Sequence, residues 1–307
     1  IHAFIGWGVS LLVFFLVIIG VFWYLGRKGH LQRKDELIGG RYLAPSAAYV
    51  NKLLKKLGKL SPLKIGELHL VKDSEIQNIA LHGTVGTGKS TAINGLLAQA
   101  RENEQRGIIY DRGNNFIPIF YREGVDIILN PIDARCPNWD LWEECQDKVD
   151  LENFAEALFS EGQGSGDPFW VLSARMLFTS TAEAMRNDPE RSIKILLNHL
   201  LSISLADLKM VLKGTDAANL VDGSIEKTAV TIRTVLATYA KSLRLCQGLD
   251  KPGTEKFSIR KWLHNTDDNA WIFLSSDGRV HESIKPLITA WLNIAMQNVL
   301  ALEANLA

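Results

Sequence analysis

Residues 3–25 form an unbroken apolar stretch, from Ala3-Phe4-Ile5 to Trp23-Tyr24-Leu25, without one charged position. A helix of that length reaches about 35 Å, enough to cross a hydrocarbon core of ~30 Å. Trp7 near one end and Trp23-Tyr24 at the other suit the two membrane interfaces. The pattern predicts a transmembrane helix over 1–26. A buried core helix rarely stays apolar all round for so long, and a secretory leader has a shorter apolar region behind a basic start. Leu53, Leu54, Leu57 and Leu60 then recur at helical spacing, predicting a short amphipathic helix over 46–60 that Ser61-Pro62 ends. Leu63, Ile65, Leu68 and Leu70 suggest a strand over 63–71. Asn78–His82, Gly107–Asp111 and Val125–Pro131 read as further strands, with a helix over Ala92–Ala100 after the first. Such alternation implies a parallel sheet with helices on both faces.

From 148 onward the strand signals vanish. Leu151, Phe154 and Leu158 mark one helix, and Pro168-Phe169-Trp170 opens a longer one running to Ala184. Ser192 is placed to cap a third helix, Leu205–Leu212 forms a fourth that stops at Gly214, and Ser224 is placed to cap a fifth. The fifth turns Ala229, Ile232, Leu236 and Tyr239 inward. Asn269–Ser276 returns to strand, Asp277-Gly278 turns, and Ser283–Glu303 is a helix with Ile284, Leu287, Ile288, Trp291, Ile294, Ala295 and Val299 on its apolar face. The chain thus divides into a membrane helix at 1–26, a basic membrane-proximal linker at 27–62, a first nucleotide-binding part at 63–147, an all-α domain at 148–255 and a second nucleotide-binding part at 256–307.

Charge refines this picture. The net charge is zero, so the whole chain lacks the footprint of a dedicated nucleic-acid clamp. Residues 26–60, however, hold nine Lys and Arg against only Asp35 and Glu36. Arg27, Lys28, Arg33 and Lys34 follow the apolar stretch directly and place that end on the cytoplasmic side. The collar suits anionic lipid headgroups, with contact to nucleic acid as the alternative. Lys34-Asp35-Glu36-Leu37 is internal and is no retention signal. Cys136, Cys145 and Cys246 form neither a C-x-x-C pair nor a zinc pattern.

The chemistry concentrates at Gly83-Thr84-Val85-Gly86-Thr87-Gly88-Lys89-Ser90-Thr91, a full match to G-x-x-x-x-G-K-[ST] between an expected strand and an expected helix. Its glycines let backbone N–H groups turn onto an anion, and the helix N-terminus adds a positive dipole end. The motif calls for ATP with Mg2+: Lys89 reaches the β- and γ-phosphates and the Ser90 hydroxyl ligates the metal. Asp111 ends an apolar strand and reads as a carboxylate at the ligand-binding edge that either holds local structure or touches Mg2+ or its waters.

The order of segments resembles the type IV secretion coupling proteins of bacterial conjugation (the TraD/TraG family). The carrying residues are the apolar helix, Gly40-Arg41-Tyr42-Leu43, the Gly83–Ser90 loop, Tyr110-Asp111 and Asp126–Pro131. Asp167-Pro168-Phe169-Trp170, Phe257–Leu263 and Lys285–Trp291 complete the series. The resemblance covers essentially the whole chain. It implies a RecA-like P-loop NTPase, α/β with a parallel-rich sheet, an inserted all-α domain and an N-terminal transmembrane helix. It further implies a homo-hexameric ring at the bacterial inner membrane, most of the chain being cytoplasmic. Such a ring hydrolyses ATP, binds single- and double-stranded DNA, recruits the relaxase or relaxosome and meets the type IV secretion channel. A trans-acting arginine finger is implied as well, for which Arg279 is the loop candidate.

In the family a Walker-B strand ending in Asp-Glu follows the last helix. Trp271–Asp277 is a poor substitute for it, and the Mg2+-supporting Asp and water-activating Glu are expected beyond Ala307. A chromosome-partition translocase fits less well, because that group lacks this single helical insert. A membrane-tethered zinc protease is excluded, since His281-Glu282 is followed by Ser283-Ile284-Lys285 rather than x-x-His. The reading from a different class is a docking platform on which nucleotide only switches shape.

Overall fold

The computed structural model describes residues 2–32, 43–74, 78–159, 167–250, 253–265 and 268–304, with no account of the side chains of 2–13, 30–32 and 302–304. It separates into two compact units, residues 1–82 and 83–307.

In the first unit, α1 (His2–Gln32) is one continuous helix. Phe14, Phe15, Phe22 and Trp23 stand exposed on it. Arg27 lies over the Trp23 ring at 5.3 Å and Lys28 over Tyr24 at 5.8 Å, each one turn back. Among the described residues no helix is long and apolar enough to cross a membrane. About half of the apolar run of the crossing expected over 1–26 lies outside the described side chains. Arg33, Lys34, Arg41 and the Gly40–Tyr42 motif also lie outside the described residues.

Helix α2 (Ala47–Lys56) begins where the Ser46 side chain accepts the Tyr49 N–H. It ends sooner than expected, and Ser61-Pro62 falls inside a strand instead. That strand, β1 (Leu60–Ile65), pairs antiparallel with β2 (Leu68–Val71), so the single strand expected over 63–71 is a hairpin. The register shifts between Leu60 and Lys64, which accommodates a proline that has no N–H to donate. Asn51 on α2 ties the two elements: its Nδ2 donates to the Glu67 carbonyl at 2.7 Å and its Oδ1 accepts the His69 N–H at 3.0 Å.

The second unit opens with helix α3 (Lys89–Glu102), followed by β3 (Gly107–Arg112), the single turn α4 (Ile117–Phe120) and β4 (Ile127–Leu129). A short parallel pair joins β5 (Asn138–Trp139) to β6 (Lys256–Phe257). Between them come α5 (Leu141–Glu144), α6 (Lys148–Leu158), α7 (Pro168–Ala184), α8 (Ile193–Leu201), α9 (Leu205–Val211) and α10 (Glu226–Tyr239). Then follow α11 (Ile259–His264), β7 (Trp271–Ser276) and α12 (His281–Ala304).

The main sheet has the order β3-β7-β4, all parallel, with Gly107 opposite Trp271 and Ile127 opposite Ile272. Central β7 is buried at every position, as a strand covered on both faces must be. The strand expected at Asn78–His82 is not formed. Those residues have no ladder partner among the described ones, and Ile79 is 47% exposed.

Local chemistry explains the helices of the insert. Asp147, Asp167, Ser192 and Ser204 each cap the helix that follows through a side-chain oxygen. Ser224 does not cap α10. Asp222 accepts the Ser224 N–H and caps a short 3-10 turn that leads into the helix. The insert shares its core with the sheet. Trp139 contacts Phe154 and Trp291 at ring distances of 5.8 and 5.5 Å, and Phe154 stacks on Phe178 at 6.2 Å. All three cysteines are buried and none is in a disulfide. On α12 the expected inward residues are buried except Val299, which is 39% exposed near the helix end.

Candidate nucleotide-binding site

The loop before α3 has the backbone an anion cradle needs. Gly86 and Gly88 sit at φ 84° and 85°, a region closed to most side chains. Gly83 is there for closeness: a Cβ on it would lie 2.6 Å from the Thr87 hydroxyl. That hydroxyl donates to the Thr84 carbonyl at 2.8 Å, and Lys89 Nζ donates to the same oxygen at 2.5 Å. Lysine and loop are thereby drawn together. Gly88 occupies the cap position of α3 in left-handed conformation and supplies no side chain, so the first helical turn is left for an outside acceptor. Thr84, Val85, Thr87, Ser90 and Thr91 are exposed, Val85 almost completely. Glycine torsions, a bare N-terminus and an accessible lysine and hydroxyl together fit a polyphosphate with a divalent cation. Backbone N–H groups of Gly86–Thr91 and Lys89 would hold the phosphates, and the Ser90 hydroxyl the metal. Such a metal-nucleotide supplies the transferable phosphoryl group.

The helix is fixed from its far end. Arg101, in its last turn, lies 3.6 Å over the Trp271 ring and donates to the Asn269 and Phe120 carbonyls. It also meets buried Asp126 at 2.8 Å. Asp126 accepts from Arg122 and from the Trp271 N–H as well, at 2.8 Å for the latter. Burial is the main influence on the Arg101 guanidinium, lowering its pKa, and Asp126 opposes it. The end of α3 is thus pinned where β7 begins. Running back about 21 Å over 14 residues, α3 returns its N-terminus to the edge where the strands end.

That edge carries the other expected residues. Asp111 is fully buried and accepts the N–H groups of Asn115, Phe116 and Ile117 at 2.7, 2.9 and 2.9 Å. It folds the loop after β3 into α4. Arg279, in the turn after β7, has a 90% exposed side chain loosely paired with Asp277 at 3.5 Å. Asn130 reaches the Ser275 hydroxyl at 3.3 Å, and the Ser276 hydroxyl pairs with His281 Nδ1 at 2.9 Å. Among the described residues no cluster of His, Cys, Asp and Glu forms a ready metal site.

Sequence reading missed one buried carboxylate. Glu144 accepts from Trp139 Nε1 at 3.0 Å and from the Ile259 and Arg260 N–H groups at 2.8 Å each. It clasps the chain entering the helical insert to the chain leaving it. Burial pushes its carboxyl up to about 7, against the three donated N–H groups, which favour the charged form. Arg260 bonds Asp150 at 2.7 Å beside it, and Lys261 bonds Glu143 at 2.8 Å. No periodicity singles out Glu144, since two of its three donors, the Ile259 and Arg260 N–H groups, lie more than a hundred residues away.

The family described as the type IV secretion-system coupling protein DNA-binding domain matches residues 62–306. The chain belongs to that family. Coupling protein TraD of Escherichia coli (strain K12) is 44% identical over 300 residues, covering 97% of this chain and 42% of TraD. Among solved structures, unbound bacterial conjugative coupling protein TrwBdeltaN70 has a TM-score of 0.71 at 25% identity, covering 85% of this chain and 61% of that one. TrwB in complex with ADP and Mg2+ gives 0.68 at 25% identity, covering 81% and 59%. TrwB with the non-hydrolysable ATP analogue ADPNP gives 0.71 at 25% identity, covering 87% and 62%. The chain therefore spans less than half of this curated coupling protein and about three fifths of these solved ones. Its fold is the α/β P-loop fold of the coupling proteins.

Proposed function

We propose that this chain is the nucleotide-binding part of a conjugative coupling protein, an ATP-driven DNA translocase that links a relaxosome to a type IV secretion channel. The observation that carries the reading is the Gly83–Thr91 cradle, with its bare helix N-terminus, in a chain of this family. The binding of ADP with Mg2+ and of an ATP analogue by TrwB supports the same ligands here. Lys89 offsets phosphate charge and Ser90 ligates Mg2+, while Gly83, Thr84, Val85, Gly86, Thr87, Gly88 and Thr91 shape the cradle. Asp111, committed to three backbone N–H groups, holds the neighbouring loop and at most orders water near the metal. Arg279 is exposed on the same sheet edge and suits a finger reaching into an adjoining protomer of a homo-hexamer.

The carboxylates that orient the attacking water belong, in this reading, to the length of the relatives that this chain does not span. The uncharged run 3–25 on α1 anchors the protein in the bacterial inner membrane, with Arg27 and Lys28 on the cytoplasmic side. Single- and double-stranded DNA, the relaxase and the channel proteins are the partners, and anionic lipid faces the basic linker at 27–62. In this reading the chain divides at 26, 62, 147 and 255.

The test is ATP turnover by the full-length protein reconstituted in membrane, with and without single-stranded DNA, beside Lys89→Ala. Turnover stimulated severalfold by DNA and abolished in the variant is expected. Nucleotide binding with slow turnover that ignores DNA would replace the motor by a nucleotide-switched docking platform.

A further inference from the structure

Helix α2 turns an unusual face to solvent. Its inner side is tied to the hairpin by Asn51, and Leu54 is 9% exposed. On the outer side Tyr49, Leu53 and Leu57 are 52%, 46% and 59% exposed. These three follow at i, i+4 and i+8, so they form one stripe that advances about 40° per step. Lys52 and Lys56 form the adjoining stripe, roughly 60° round the helix, and Lys55 lies beyond them. All three lysines are exposed, as is Lys59 just past the helix end. Residues 43–66 contain five lysines and no Asp or Glu, while Glu67 sits in the hairpin turn.

An apolar stripe flanked by lysines, on a helix otherwise tied down, is the pattern of a segment lying in a headgroup layer. A nucleic-acid surface needs the charge but not the leucines, whereas a buried protein interface sheds lysine at its centre. We infer that α2 lies flat on an anionic bilayer surface, with Tyr49, Leu53 and Leu57 in the interface and Lys52 and Lys56 on the phosphates. This deepens the proposed tether of α1 and rests on it: α1 holds the chain at the membrane, and α2 adds a second contact with it.

The experiment labels Leu53→Cys with an environment-sensitive dye in the whole chain, whose three native thiols are buried. The chain is mixed with phosphatidylcholine vesicles, or with vesicles containing phosphatidylglycerol as well. Flotation on phosphatidylcholine reports the α1 tether. A blue shift at Leu53→Cys on phosphatidylglycerol, absent at Glu190→Cys, reports α2. Tyr49→Cys, labelled the same way, repeats the reading at a second position. Lys52→Ala and Lys56→Ala should each lower the dye's partition about fivefold while leaving flotation on phosphatidylcholine intact. Flotation with the dye still in water on both vesicles overturns the inference and spares the tether. A blue shift without flotation on phosphatidylcholine does the reverse. A dye response to single-stranded DNA that exceeds the response to anionic vesicles assigns the face to nucleic acid and overturns the inference.

Discussion

Gly88 sits at φ 85° at the mouth of the site, and an added Cβ there costs about 1–2 kcal/mol in left-handed backbone. Gly88→Ala should weaken nucleotide binding roughly tenfold, measured by calorimetric titration with ATP and Mg2+, and the strain should lower the melting temperature by a few degrees. Gly83→Ala should act similarly by pushing the Thr87 hydroxyl off Thr84. Asp126 is the opposite kind of residue. Its side chain is fully buried between Arg101 and Arg122, and its removal leaves two arginines facing a gap. Asp126→Ala should cost about 3–5 kcal/mol in denaturant unfolding. Glu144 adds a pH dependence. Its carboxyl is raised from an ordinary value of 4.5 to about 7, so the folded state holds a proton that the unfolded state releases. Its contribution is full below about pH 4.5 and is lost as pH rises through about 7. Glu144→Gln should flatten stability against pH across that window, read from melting curves. The P-loop residues were visible as a contiguous motif, whereas Glu144 reaches the Ile259 and Arg260 N–H groups and Asp126 the Trp271 N–H, partners distant in sequence.

At the scale of elements, the caps decide where helices start. Ser192 accepts the Ile195 N–H at 3.2 Å, and Ser192→Ala should cost about 1 kcal/mol, lowering the melting temperature by about 2–4 °C. Most helices were legible because a cap and an apolar spacing of three and four residues are local signals, as at Ser192 and Ile193, Leu196, Leu197 and Leu200. Strand signals were less secure. Leu63 to Leu70 alternates, but the turn at Gly66-Glu67 splits it into a hairpin. Asn78–His82 reads as a strand by composition, yet a strand exists only when a neighbour takes its N–H and C=O groups. The two-residue strands β5 and β6 carry no periodicity at all; they form because the two ends of the insert are clasped together.

In the second unit one core runs from the sheet into the helical insert. Ile272 and Leu274 of β7, Trp291 of α12 and Phe154 of α6 belong to a single buried cluster. Sheet and insert should therefore unfold together, near-ultraviolet and far-ultraviolet circular dichroism tracing one transition for residues 83–304. A helical transition that precedes loss of the tryptophan signal would show the insert to be a separate folding unit. The sequence by itself determined the phosphate cradle, the helical insert, the basic stretch after α1 and the family. Each is written in contiguous residues, so backbone torsion, capping and periodicity suffice to read it. Only the tertiary structure decided that β7 enters between β3 and β4. It alone placed Asp111 under a loop turn, and it alone made Glu144 bind both crossings of the chain. Those outcomes depend on which distant groups meet once water is excluded, and burial and partner choice at long range leave no local pattern in the chain.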